Sequence, residues 1–108
     1  MSNVVHMRKV THRNAGHTIQ KVARDSARVF VTAHCQERMA ERGVTMPQLL
    51  RCVRCGQEID FELDNNTGCY KVTFEIRSAG ARVRIVAALD EDETGALVVA
   101  VTAITRTL

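Results

Sequence analysis

The spacing of apolar residues changes at Gly56, and that switch constrains the fold more than any other feature of the chain. Before it, apolar side chains recur at three- and four-residue intervals; after it, they recur at every second position. Met46, Leu49, Leu50 and Val53 follow i, i+3, i+4, i+7, which predicts a helix with one buried face. Thr45 and Gln48 make a capping box at its start. Pro47 falls in the first turn, where its missing N–H costs nothing, and Gly56 ends the helix. Beyond Gly56, Ile59, Phe61 and Leu63 alternate with Glu58, Asp60 and Glu62, a half-buried strand with an acidic outer face. Tyr70, Val72, Phe74 and Ile76 then alternate with Lys71, Thr73, Glu75 and Arg77. Val83, Ile85, Ala87 and Leu89 form a third strand that carries Arg82 and Arg84 on its other face. Ala96 to Ile104 is apolar almost throughout, so it reads as a strand that is central or covered on both sides. Turn residues separate these runs at Asp64–Gly68, Ala79–Ala81 and Glu91–Gly95.

Upstream of the capping box, Ala33–Arg42 reads as a helix that Gly43 stops at the position where left-handed residues end helices. Ile19, Val22, Ala23 and Ser26 predict a short helix over about Thr18–Ala27, and Arg28–Thr32 reads as a brief extended piece. Residues 1–16 lack periodicity and read as a flexible basic arm, leaving 17–108 as a single domain. Helices first and strands after, joined by short turns, define an α+β fold. Its N-terminal helices pack on one face of a four-stranded antiparallel meander sheet.

Composition agrees with a globular domain: 45% of the residues are hydrophobic and 25% charged. With no Trp, one Tyr and three Phe, the core is aliphatic. No run approaches the roughly 20 apolar residues of a membrane span, and the first residues lack the apolar stretch of a secretory signal. The expected location is cytoplasmic, with no membrane partner. In that setting the four cysteines, Cys35, Cys52, Cys55 and Cys69, are expected to be free and mostly buried thiols. Cys52-Val53-Arg54-Cys55 spells CxxC inside a capped helix, where neither a zinc knuckle nor a redox pair belongs. No metal site and no cofactor is expected.

Charge is unevenly spread. Residues 1–56 carry ten Lys/Arg against three Asp/Glu, and residues 57–108 carry five against nine. All four His fall in the first half. Such polarity suits an anionic partner at one face, nucleic acid foremost, although a solvated basic surface has the same composition.

The residues with most chemistry lie in Thr32–Thr45. On a helix, His34, Arg38 and Arg42 are four apart and form one row, with Glu37 and Glu41 beside them. Metal-independent RNA cleavage needs such groups. A base (His34 or a carboxylate) takes the 2′-OH proton, and guanidiniums stabilise the phosphoryl oxygens. The sequence singles out no donor for the leaving 5′-oxygen. The same spacing also describes an exposed helix face of solvated Glu/Arg pairs.

The pattern Thr32-x-His34-x3-Arg38-Met39-x2-Arg42-Gly43-Val44-Thr45 resembles the front end of a family of small bacterial domains grouped with RelE- and MqsR-type toxins. Gly56, Tyr70 and Val98-Val99-Ala100-Val101-Thr102 stand where that family has a helix-ending Gly, a strand Tyr and a final valine-rich strand, so the likeness runs from about Val29 to Ile104. Cys35 replaces the usual Ala, and Thr105-Arg106 stand where members often have an aromatic residue. The resemblance implies a RelE-like (barnase/EndoU/colicin/RelE) architecture and an endoribonuclease toxin of a toxin–antitoxin system. It also implies RNA, in some cases at the ribosome, and an antitoxin or other protein as partners. Carried over by position, His34, Arg38 and Arg42 are the catalytic candidates and Thr102 a supporting one. Glu37 beside the row, and Arg82 and Arg84 on their strand, are added as RNA-binding candidates. The alternative is a non-catalytic phage or mobile-element factor that uses the same fold to bind a nucleic acid or a host protein complex.

Overall fold

The structure is a computed structural model and describes residues 14–64 and 68–108. The basic arm up to residue 13, and the tip of the turn expected at Asp64–Gly68, lie outside the described residues. Three helices and a five-stranded mixed sheet make an α+β fold. In chain order they are α1 (Ala15–Val22), a 3-10 turn (Ser26–Arg28), β1 (Val29–Val31), α2 (Ala33–Arg42), α3 (Met46–Cys55), β2 (Gln57–Asp64), β3 (Cys69–Ser78), β4 (Ala81–Glu91) and β5 (Leu97–Thr107). No helix among the described residues is long and apolar enough to cross a membrane.

The sheet runs β1-β5-β4-β3-β2. Strands β2 to β5 form the antiparallel meander that the alternation predicts. The expected count of four antiparallel strands is corrected by β1, which lies parallel to β5 at the sheet edge, Val29 to Val31 opposite Val99 to Val101. Three residues are too few to show alternation, and their partner lies at the far end of the chain.

The two helices with clear punctuation form as expected. In α3, Thr45 Oγ1 accepts from the Gln48 N–H (3.3 Å), and Gln48 Oε1 accepts from the Thr45 N–H (2.9 Å). Leu49, Cys52 and Val53 are buried, whereas Met46, the first residue of the helix, is 44% exposed. Gly56 ends α3 in extended conformation and is needed for space: a Cβ there would press on the Phe74 Cβ and the Cys52 carbonyl. The first helix differs from expectation. It starts at Ala15, whose side chain is buried, and stops at Val22; the 3-10 turn capped by Asp25 replaces its expected second half.

All three helices cover one face of the sheet. Ile19 of α1, Cys35 and Met39 of α2, and Leu49, Cys52 and Val53 of α3 share one core with Val72, Phe74, Val83, Ile85, Val99 and Val101. In β5 a register shift opposite Val86 and Ala87 leaves Thr102 as the extra residue, so Ile104 returns to the core side with Val99 and Val101. The last strand was expected to be central or covered on both sides, and it is central. Val98 and, beside it on β4, Ala88 stand outside the core cluster, on the face that no described helix covers.

The pattern of β2 is corrected by a second irregularity. The register slips between Glu58 and Asp60, so Glu58 lies opposite the core residue Phe74 while Asp60 lies opposite Thr73. One extra residue reverses the facing of everything before it. Glu58 thus turns from the acidic face toward the helices, where a Cβ on Gly16 of α1 would collide with its carboxyl group. Ile59 is left 40% exposed, and Phe61 keeps the core side, its ring centroid 5.6 Å from that of Tyr70.

Candidate functional site

Helix α2 owes its position to its two ends. Thr32 caps the start, its hydroxyl accepting from the Cys35 N–H at 3.2 Å, while its own N–H donates to the Val101 carbonyl of β5 at 3.4 Å. Gly43 ends the helix at φ 67°, a left-handed conformation that costs glycine little. Cys35 and Met39, four apart, are buried against the sheet. That anchoring turns the rest of α2 outward: His34, Glu37 and Glu41 are exposed, and Arg38 and Arg42 half-buried.

The expected row therefore exists as a surface. Arg38 is its centre: its Nε–H donates to His34 Nε2 at 3.5 Å, and its Nη1 donates to Glu41 Oε2 at 3.3 Å. Arg42 lies one turn further, about 6 Å along the helix, and makes no ion pair among the described residues. Glu37 is exposed beside the row. Glu41, which steadies Arg38, was visible in the sequence as its i+3 neighbour. The cap residue Thr32 was visible as a hydroxyl directly before the helix, the commonest capping signal.

The remaining candidates are elsewhere. Arg82 and Arg84 alternate with the core residues Val83 and Ile85, so they point to the opposite face of the sheet from α2. There both reach the Glu75 carboxylate, at 3.2 and 2.9 Å. They do not join the row, because strand alternation sends them through the sheet and not toward the helices. Thr102, half-buried at the β5 irregularity, donates its hydroxyl to the Val86 carbonyl at 3.4 Å. It follows Val101, to which the start of α2 is bonded, and so sits beside the row in the backbone without contributing a free group to it.

The thiols divide by burial. Cys35 and Cys52 are buried, Cys69 is half-buried and Cys55 exposed, and none is in a disulfide. Cys52 Sγ lies 3.3 Å from the Phe74 carbonyl and 3.7 Å from that of Val83. Burial pushes this thiol up to about 12, which removes it from nucleophilic or redox chemistry. Among the described residues no three His, Cys, Asp or Glu converge as metal ligands. An open hollow of about 480 Å³ lies at the other end of the molecule's exposed sheet face, lined by Phe30, Val98 and the β4–β5 turn; it does not include the row.

Residues 31–104 match a family described as a domain of unknown function, DUF4258. The chain belongs to the DUF4258 family. The matched span begins in β1 and ends in β5, so the DUF4258 match contains α2, the whole row and Thr102, while α1 precedes it. No curated protein and no solved structure matches the chain.

Proposed function

We infer that this DUF4258 protein is a metal-independent endoribonuclease of the toxin–antitoxin kind, acting through α2. The observation that carries the reading is the contact of Arg38 Nε–H with His34 Nε2 on an outward-facing helix. An imidazole beside a guanidinium supplies a candidate base and a phosphate ligand side by side. An RNA phosphodiester offers Arg38 two anionic oxygens, a stronger and bidentate partner than the exposed Glu41 contact it has in the free protein. As the guanidinium turns to the phosphate, Nε2 is freed to take the proton of the neighbouring 2′-OH. The 2′-oxygen then bonds to phosphorus and the bond to the 5′-oxygen breaks, giving a 2′,3′-cyclic phosphate and, once protonated, a 5′-hydroxyl. Arg42 grips the next phosphate, and Glu37 stands as an alternative proton acceptor. RNA, at the ribosome or free, is the substrate, and an antitoxin that covers the row is the protein partner.

The openness of the row favours a second reading. His34 is exposed on an outward-facing helix, whereas catalytic bases usually sit where water is excluded. On that reading the protein is a binding factor of phage or mobile-element type that blocks a nucleic acid or a host complex with the same surface.

The test is induction in a bacterial host of the wild type, His34→Ala and Arg38→Ala, with new RNA 5′ ends mapped and RNA binding measured on the purified proteins. The enzyme reading expects growth arrest and new ends from the wild type only, with His34→Ala retaining binding and Arg38→Ala losing it. No new ends from a folded wild type that binds RNA establishes the binding factor instead.

A further inference from the structure

The end of the sheet at the β3–β4 turn carries positive charge that the RNA reading does not use. Arg82 of β4 has Arg77 of β3 directly opposite on one side and Thr107 of β5 on the other, so the three form one rung across the sheet. The next rung is Glu75, Arg84 and Thr105. Both rungs stand on the face away from the helices, because Arg82 and Arg84 alternate with the core residues Val83 and Ile85. Three guanidiniums thus share the single carboxylate of Glu75, which leaves an excess of two positive charges. Glu75 satisfies them unequally. Its Oε2 accepts from Arg84 Nε–H at 2.9 Å. Arg82 Nε lies 3.2 Å from Oε1 but is enclosed there without a hydrogen bond. Arg77 is exposed and has no ion pair or hydrogen bond among the described residues.

Like charges directly opposite on a sheet, as Arg77 and Arg82 are, repel each other, and an anion held between them reverses the sign. The rung leaves room for one. A hollow of about 110 Å³ is lined by Arg77, Arg82, Thr107, Gly80 and Leu108. The Thr107 hydroxyl, like Arg77, has no partner among the described residues. We propose that this hollow is a binding site for a dianionic phosphate group. The dianion matches the excess of two positive charges. Arg77 and the terminal nitrogens of Arg82 donate to its oxygens from two strands, and the Thr107 hydroxyl donates from the third. Glu75 stays with Arg84, so the phosphate takes the place of a counter-charge that Arg77 and Arg82 otherwise lack. The group is either the free ion or the terminal phosphate of a nucleotide; both present one tetrahedral dianion to two guanidiniums and a hydroxyl. An internal phosphate of RNA carries a single charge and matches the excess less well. The hollow lies on the opposite face of the sheet from the α2 row and does not rest on the reading of that row.

The test is NMR of the full chain, with inorganic phosphate titrated in at an ionic strength held constant by sodium chloride. Saturable shifts are expected in the Gly80 and Thr107 amides and in the Nε–H signals of Arg77 and Arg82, in the millimolar range or below. Arg77→Ala and Arg82→Ala, with the wild-type circular dichroism spectrum, are each expected to weaken binding about tenfold or more. Thr107→Val is expected to weaken it less, because a neutral hydrogen bond is lost. Glu75→Gln, which removes the competing charge, is expected to tighten binding, an effect that loss of structure does not mimic. A mononucleotide with a 5′-phosphate is expected to shift the same signals, and the nucleoside without it is not. Tighter binding of the mononucleotide than of inorganic phosphate identifies a nucleotide as the source, and equal binding identifies the free ion. The absence of saturable shifts at Gly80 and Thr107 overturns the proposal. So do folded Arg77→Ala and Arg82→Ala proteins that bind phosphate as the wild type does. An oligoribonucleotide with a 5′-hydroxyl that shifts these signals as strongly as phosphate also overturns it, because singly charged phosphodiesters then suffice.

Discussion

At the scale of single residues, burial decides chemistry more sharply than residue type does. Cys52 and Cys55 are three positions apart on one helix, yet one thiol is enclosed and directed at two carbonyls while the other meets solvent. A thiol reagent is therefore expected to modify Cys55 fast and Cys69 more slowly in the native protein, and Cys35 and Cys52 only on unfolding. Mass spectrometry of the quenched reaction measures this; rapid native labelling of Cys52 contradicts it. The raised ionisation of Cys52 also has a thermodynamic sign. The unfolded thiol loses its proton near 9.0 and the folded one near about 12, so the unfolded state gains from deprotonation first. This contribution to stability is complete below pH 9 and declines as the pH rises from there toward 12. Denaturant titrations of the wild type and Cys52→Ala across that range should show a steeper alkaline loss for the wild type.

At the scale of elements, local hydrogen-bond signals proved the most readable part of the chain. The α3 capping box and the α2 stop at Gly43 both follow from residue types within four positions of each other. The β4–β5 turn is built in the same way around Asp92. Its Oδ1 accepts from the Thr94 hydroxyl (2.6 Å), the Thr94 N–H (2.9 Å) and the Ala96 N–H (3.0 Å), while Oδ2 faces Arg28. The Thr94 hydroxyl first, then the two amides and Arg28, hold this carboxyl below its usual 3.8. Its stabilising effect is thus present above that value and is lost as the pH falls through the lower folded value. Replacing it, Asp92→Asn should lower the melting temperature near neutrality and flatten its fall in acid; parallel acid limbs for variant and wild type would show that the turn does not carry this linkage. Elements that depend on distant partners were less legible. The three residues of β1 become a strand only because β5 is there to receive them. The extra residues in β2 and β5 leave the sequence alternation looking regular while they reverse which side faces the helices, as at Glu58.

At the scale of the whole molecule, one aliphatic core joins every helix to the sheet, and Phe74 is the largest side chain fully inside it. Phe74→Ala should cost about 3–5 kcal/mol by the transfer and cavity effects of emptying such a site. Set against a total of about 5–15 kcal/mol for a domain, that leaves a marginal protein; urea denaturation measures it, and a loss under about 1 kcal/mol would mean that the core refills the space. The candidate site was legible to the extent that it is local. His34, Arg38 and Arg42 share a helix, so their spacing alone places them in one row. Arg82 and Arg84 depended on which side of a sheet faces which helix, a property of the assembled fold, and they lie on the other side.

The edges of that sheet set a limit on what the protein does when concentrated. One outer strand is only three residues long, and the carbonyl of its last residue, Val31, already accepts from the Gln36 amide at 3.1 Å. The other is kinked at Ile59 and carries Asp60 and Glu62 beyond the kink. Neither offers the long, flat, uncharged backbone on which further chains add without end. Crowding this protein should therefore produce clear solution up to high concentration, and fibres only after β2 has been straightened or neutralised.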